Sequence, residues 1–381
     1  MARPARTTAA WPLTWTYALL VVYASLYPFE PWRVQGIAPW AFLTAPWPRY
    51  WTTFDLISNV LGYAPLGFLL CWSLQRTRPA SAAWLWATLA SAGLSLLMES
   101  LQMFLPSRVP SNVDALLNLS GAWLGAALAW ALGRLGWMDR WSRWRARWFD
   151  ADSAGALALL ALWPPALMFP AAVPFGLGQV YERAEIVLSQ WLQGTPWALA
   201  LPVREAELQP LLVSSERICI TAGLMLPVLL VYSVVRPPRQ RLILAALAWA
   251  VGLGASALSA ALTWGPSHAW GWVQGQVLWA LALAAVLALL LLRLPGRPAL
   301  VVALVLLVCQ LSLLNTASAN VYFAQTLQTW EQGRFIRFHG LIQWIGWLWP
   351  FGLLAYLVAR LAASPRAGPA ARPPTAKPPR I

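Results

Sequence analysis

Residues 108–125 read RVPSNVDALLNLSGAWLG, a polar opening that runs directly into an apolar helical pattern. The apolar pattern continues to residue 135, which is long enough to cross a hydrocarbon core about 30 Å thick. The stretch therefore predicts a membrane helix, with Arg108, Asp114 and Asn118 at the mouth of that helix.

The rest of the chain repeats the apolar pattern. Of its 381 residues, 59% are hydrophobic and 10% are charged, and 27 are tryptophan, whereas a soluble domain carries about 25% charged residues. The sequence predicts an all-α, polytopic helical membrane protein with about ten transmembrane helices. The predicted spans are 11–27, 55–75, 80–104, 114–135, 153–175, 218–235, 242–263, 275–292, 299–315 and 341–359.

The placement of charge predicts the orientation of these helices. The net charge is +14, and most of the 27 basic residues fall in the loops that lie inside if the N-terminus is cytoplasmic. This is the positive-inside pattern. It predicts cytoplasmic N- and C-termini in a multi-pass membrane protein, and it speaks against a nucleic-acid partner. YASLYPFEPW, at 23–32, offers a poor cleavage site, so we expect the first helix to be retained.

Four regions are predicted along the chain. Residues 1–135 form a four-helix membrane domain, and 153–363 form a second membrane domain of about six helices with an outer segment at 176–217. Between them, tryptophans at 137, 141, 144 and 148 share one helical face opposite several arginines, which predicts a cytoplasmic interfacial helix at 136–152. We interpret it as an anchor, with lipid sensing as the alternative. Residues 364–381 are predicted to be a disordered cytoplasmic tail.

A short internal repeat brings polar residues into the first domain. DLISNVLGYAPLG, at 55–67, and DALLNLSGAWLGA, at 114–126, share the pattern Asp-x3-Asn-x2-Gly. Both copies enter the membrane from the same predicted side, so the two helices run parallel. Small residues permit close approach of membrane helices. The predicted helix-packing positions are Gly62, Pro65, Gly67, Gly121 and Gly125.

The third span ends at the same predicted level as the two repeats begin. Glu99 and Gln102 lie three residues apart on one helical face, and Arg108 follows in the loop. Ionisable residues inside a span are functional candidates, and we expect Arg108 to pair with Glu99, with Asp114 competing for it. The sequence thus predicts an outer polar pocket of seven residues: Asp55, Asn59, Glu99, Gln102, Arg108, Asp114 and Asn118. The alternative is structural, with Asp55 and Asp114 as helix caps and the asparagines as interhelical hydrogen-bond formers.

Three segments in order carry a family resemblance: DLISNVLGYAPLGFLL, ESLQMFLPSR and SNVDALLNLSGAWLGA. They resemble the VanZ-like family of membrane proteins over about residues 12–135. The resemblance implies a multi-pass protein of the bacterial inner (cytoplasmic) membrane, with a role in the cell envelope related to resistance against the glycopeptide antibiotic teicoplanin. It does not extend to residues 136–363.

Three functions follow as hypotheses. The first is an envelope factor that binds membrane lipids or a lipid-linked envelope precursor, with Arg108 taking an anionic group and the carboxylates and amides taking amines, hydroxyls or cations. The second is a membrane enzyme with a carboxylate general base, and the third is a transporter coupled through Glu99. No cofactor or metal is predicted, because Cys71, Cys219 and Cys309 lie in separate spans without metal-ligand spacing. Catalytic residues, ligand identity and oligomeric state stay open.

Overall fold

The computed structural model describes residues 10–27, 29, 31–48, 53–150, 152–197, 210–317, 321–331 and 339–363. Within these ranges the secondary structure is helical, apart from one isolated antiparallel bridge between Phe149 and Val235. The all-α prediction is therefore confirmed. The predicted disordered tail at 364–381 lies outside the described residues.

Helices follow one another along the chain with short connections. The first five are α1 (Ala10–Leu26), α2 (Thr53–Leu74), α3 (Ala80–Gln102), α4 (Asn112–Arg134) and α5 (Trp137–Trp148). The remainder are α6 (Ala154–Leu167), α7 (Tyr181–Leu192), α8 (Val213–Val234), α9 (Pro238–Trp264), α10 (Gly275–Leu290), α11 (Gly296–Asn315), α12 (Val321–Glu331) and α13 (His339–Ala362). Short 3₁₀ helices span Ala41–Thr44 and Pro266–His268.

Apolar helices occupy all ten predicted spans. In the described part of the chain, seven are long and apolar enough to cross a membrane, namely α2, α3, α4, α8, α9, α11 and α13. Shorter apolar helices, α1, α6 and α10, fill the other positions. The polytopic class is thereby confirmed, whereas the count of ten spans and the orientation of the termini stay predictions.

The chain divides into two compact units. Unit 1 comprises Met1–Trp148 and Glu331–Trp344, and unit 2 comprises Phe149–Trp330 and Ile345–Ile381. Unit 1 therefore contains α1–α5, so it extends past the boundary that the sequence predicts at residue 135. The helices predicted at 136–152 and within 176–217 are present as α5 and α7.

Close packing of α2 against α4 organises unit 1. At three glycines an added Cβ would collide with the facing helix backbone: Gly67 with Ala122, Gly121 with Val60, and Gly125 with Ala64. Gly62 differs, because a Cβ there would meet nothing within 4 Å. Gly62 therefore does not have the expected packing role, and on α2 the close contact with α4 is made at Gly67. Pro65 lies inside α2 without ending it.

Unit 2 is built around α8. From Cys219 to Val234 every residue of this helix is buried. Helices α6, α9, α10 and α11 pack around it. A helix that is apolar on all sides belongs in the centre of a bundle. The fifth predicted span is broken, as its prolines indicate: α6 ends at Leu167, and a non-helical segment with Phe175 at positive φ follows.

Candidate functional site

A cavity of about 160 Å³ lies in unit 1, where α1 and α3 end and α2 and α4 begin. Six of the seven residues predicted for the polar pocket line it: Asn59, Glu99, Gln102, Arg108, Asp114 and Asn118. The seventh, Asp55, lies in the first turn of α2, and its side chain lies outside the described residues. Alternating chain direction explains the convergence, because adjacent helices of opposite direction bring starts and ends to one level.

Glu99 connects the end of α3 to the start of α4. Its side chain is 4% exposed, and Oε2 accepts a hydrogen bond from the backbone N–H of Ser111 at 3.0 Å. The Ser111 hydroxyl in turn accepts from the N–H of Val113 at 3.1 Å. Ser111 is therefore the N-cap of α4. The cap role considered for Asp114 does not hold, although its position in the first turn suits the positive end of the helix dipole.

The two repeated asparagines form different hydrogen bonds. Asn59 Nδ2 donates to Asp114 Oδ1 at 2.6 Å and thereby joins α2 to α4. Asn118 Nδ2 instead donates to the hydroxyl of Ser95 on α3 at 3.0 Å. Both bonds are interhelical, as the structural alternative expects. The repeat therefore fixes where each asparagine lies but not its partner.

Arg108 and Gln102 bind the carbonyl end of α1. Arg108 Nε donates to the Tyr27 carbonyl at 3.1 Å, and Nη2 donates to the carbonyls of Tyr27 and Ala24. Gln102 Nε2 donates to the Ser25 carbonyl at 2.9 Å. The last carbonyls of a helix lack intrahelical partners, so these side chains cap α1. This capping role was not predicted for Arg108, whose pairing with Glu99 stays a prediction.

Two buried polar atoms in the cavity wall lack a hydrogen-bond partner among the described residues. They are the hydroxyl of Tyr63, which lies near the hydroxyls of Ser25 and Ser95 but outside hydrogen-bonding geometry, and the Asn118 amide atom assigned as Oδ1; both side chains are 5% exposed. Buried polar atoms are nearly always paired with protein, water or ligand. Tyr63 was missed in the sequence, although it lies one helical turn after Asn59 and so extends the same polar stripe.

Part of the cavity lining is apolar. Leu20 and Val21 of α1 and Leu341 of α13 contribute to it. Tyr17 also lines the cavity, and its hydroxyl donates to the Gly62 carbonyl at 3.0 Å. Within the described ranges, no group of three or more His, Cys, Asp or Glu side chains is arranged to hold a metal. The lining thus combines polar and apolar side chains, which suits an amphipathic ligand.

The repeated motif, the acidic end of α3 and the arginine that follows it lie together in one helical unit. Residues 10–133 match the VanZ/LLP1 family. This VanZ-like match contains α1–α4, except for the last residue of α4, and all seven predicted site residues. Comparison with curated proteins and with solved structures found no match.

Proposed function

We propose that the VanZ-like unit binds the headgroup of a lipid or lipid-linked envelope precursor at the outer leaflet of the bacterial inner membrane. The supporting observation is the cavity, in which buried polar atoms of Asn118 and Tyr63 are unpaired among the described residues and part of the lining is apolar. Burying a polar group without a partner costs roughly 1–3 kcal/mol by protein mutational data. A ligand that supplies the missing hydrogen bonds offsets this cost.

The size of the cavity restricts what enters it. Its volume of about 160 Å³ is close to that of an engineered cavity of about 150 Å³ that holds benzene, whereas drug-sized ligands occupy pockets of about 300–1,000 Å³. A small headgroup therefore fits, with acyl or isoprenoid chains remaining outside. A link to teicoplanin resistance would accordingly run through an envelope component rather than through uptake of the antibiotic into this cavity.

A catalytic role for the carboxylates has less support. Glu99 accepts from the backbone of Ser111, and Asp114 accepts from Asn59. Each carboxylate thus has one oxygen engaged in a hydrogen bond that joins two parts of unit 1. A general base needs an oxygen within reach of the proton that it removes, and the oxygens engaged in these bonds are directed at protein groups instead.

The test is to block the cavity without touching the polar residues. Gly62 lines the cavity and has open space at the Cβ position, so Gly62→Leu places a side chain into it. Gly93→Leu is the matched control, since Gly93 is exposed on α3, has open space at Cβ and does not line the cavity. The measurement is native mass spectrometry of the full chain after gentle extraction.

The expected result is a discrete co-purifying lipid or isoprenoid phosphate in the wild type and in Gly93→Leu, and its loss in Gly62→Leu. Thermal unfolding establishes that both variants remain folded. Equal lipid occupancy in all three proteins, or no discrete lipid in the wild type, would overturn the proposal.

A further inference from the structure

The charges around the cavity bear on the sign of the ligand. Among the residues that the structure describes, Glu99 and Asp114 contribute two carboxylates to the lining, and Arg108 contributes one guanidinium. That guanidinium donates to the Ala24 and Tyr27 carbonyls at the end of α1. Its geometry is that of a helix cap, so donors of the fork that would bind a phosphate bidentately are directed at backbone oxygens.

The unpaired atoms favour the same chemistry. The Asn118 atom assigned as Oδ1 is an acceptor, and the Tyr63 hydroxyl accepts as readily as it donates. Together with the carboxylates of Glu99 and Asp114, these atoms place four side chains that can accept hydrogen bonds in the lining. A primary ammonium group supplies three N–H donors and one positive charge, so it complements both these acceptors and the carboxylate charge.

We infer that the cavity holds a primary organic ammonium, the headgroup of an amine-bearing lipid, in contact with Asn118, Tyr63 and the carboxylates of Glu99 and Asp114. This inference rests on the proposed headgroup-binding function and specifies its ligand. An anionic headgroup would enter against two carboxylates, and such a clash of like charges discriminates strongly between ligands. A quaternary ammonium carries the charge but has no N–H donors for Asn118 and Tyr63.

The experiment compares three headgroups on the wild-type full chain in nanodiscs. The probes are dioleoyl phosphatidylethanolamine, with a primary ammonium; dioleoyl phosphatidylcholine, with a quaternary ammonium; and dioleoyl phosphatidylglycerol, with hydroxyls and a net negative charge. Native mass spectrometry gives the relative occupancy of each lipid. Because charge-assisted hydrogen bonds are the strong ones, we expect phosphatidylethanolamine to bind at least about tenfold more tightly than the other two.

Variants of the two carboxylates test whether Glu99 and Asp114 cause the preference for a primary ammonium. Glu99→Gln and Asp114→Asn retain an oxygen that accepts from Ser111 and Asn59, so the helix-end hydrogen bonds persist. Each variant is expected to lose most of the preference for the primary ammonium. Glu216→Gln, at the start of α8 in unit 2, makes the same chemical exchange outside the cavity and is expected to leave the preference unchanged.

The outcomes separate this inference from the function beneath it. Suppose that Gly62→Leu abolishes lipid binding, but the wild type prefers phosphatidylglycerol or binds the three lipids equally. The inference of an ammonium ligand is then wrong, whereas the proposed headgroup binding still stands. Absence of any lipid sensitive to Gly62→Leu overturns both. If free ethanolamine binds as tightly as the lipid, the ammonium ligand is supported, but a lipid as the source of that ammonium is ruled out. The headgroup comparison uses the wild type alone, so it decides the matter even where a carboxyl variant unfolds.

Discussion

Each unit contains an arginine that binds the carbonyl ends of helices, and the two arginines differ in their surroundings. In unit 1, partly buried Arg108 caps α1 beside a cavity. In unit 2, Arg241 is 6% exposed, and its guanidinium carbon lies 5.4 Å from the centroid of the Tyr232 ring. The guanidinium of Arg241 donates to four carbonyls, those of Tyr232 and Val235 at the end of α8 and those of Leu292 and Leu294 after α10.

Two asparagines differ in the same way. Asn315 of unit 2 satisfies both of its amide atoms with four backbone groups: the N–H groups of Val180 and Tyr181 and the carbonyls of Gly178 and Leu311. Asn118 of unit 1 donates to Ser95 and has one amide atom without a partner among the described residues. A helix end can therefore be capped without the space beside it being filled by protein. In unit 1 the end of α1 is capped, but a polar cavity remains next to the cap.

Substitution of the two arginines should give the largest difference in stability between the two units. Arg241→Gln should lower the free energy of unfolding by about 3 kcal/mol or more, because several buried carbonyls lose a charged donor at once. Arg108→Gln should cost about 1–2 kcal/mol, since its carbonyls lie beside a cavity that water can enter. Thermal or denaturant unfolding in detergent, followed by tryptophan fluorescence, measures both. Equal losses would show that α1 depends on its cap as strongly as α8 and α10 do.

The asparagines should give the next largest difference. Asn315→Leu strands the N–H groups of Val180 and Tyr181 and two carbonyls, so we expect a loss of about 2–4 kcal/mol. Asn118→Leu removes an unpaired atom and one hydrogen bond, and we expect a change within about 1 kcal/mol. The same unfolding assay applies, together with lipid occupancy, which only Asn118→Leu should abolish. A large loss of stability in Asn118→Leu would mark its side chain as structural.

Repeat-related glycines test the packing of unit 1 alone. Gly121→Ala directs a methyl group onto the Val60 carbonyl, and overpacking of this kind costs about 1–3 kcal/mol. Gly62→Ala meets open space, and helix propensity favours alanine by about 1 kcal/mol, so we expect this variant to be neutral or slightly more stable. The ranking of midpoints in thermal unfolding is the measurement. The opposite ranking would contradict the close approach of α2 and α4 at Gly121.

Substitution of two tryptophans, one in each unit, should give the smallest difference in the free energy of unfolding. Trp349 Nε1 in unit 2 donates to the Leu159 carbonyl at 2.8 Å, so Trp349→Phe should cost about 1 kcal/mol for the hydrogen bond in addition to the lost ring contacts. Trp84 Nε1 in unit 1 is buried without a partner among the described residues, so Trp84→Phe loses only ring contacts. Parallel unfolding curves compare the two, and an equal cost would show that the hydrogen bond of Trp349 contributes nothing measurable.

Much of this arrangement follows from the sequence, and the part that does not is tertiary. Apolar runs predict the helices, because each must span a fixed thickness of hydrocarbon. The Asp-x3-Asn repeat places Asn59 and Asn118 at one level, and six predicted residues line one cavity. The carbonyl partners of Arg108 belong to a distant helix, which no residue pattern reveals. Gly62 and Gly121 occupy equivalent positions in the repeat, yet only the rotation of α2 and α4 decides which of them meets a backbone.

The burial of α8 bears on how the chain is made. Most of this helix is buried inside unit 2, and three of the helices that pack around it, α9, α10 and α11, come later in the chain. During synthesis α8 therefore enters the membrane before these neighbours exist, and its apolar surface first faces lipid or the insertion machinery. That surface is fully covered by protein only when α11 has been inserted. The bundle around α8 is thus completed late in translation, whereas α1–α4, which contact one another in unit 1, are consecutive in the chain.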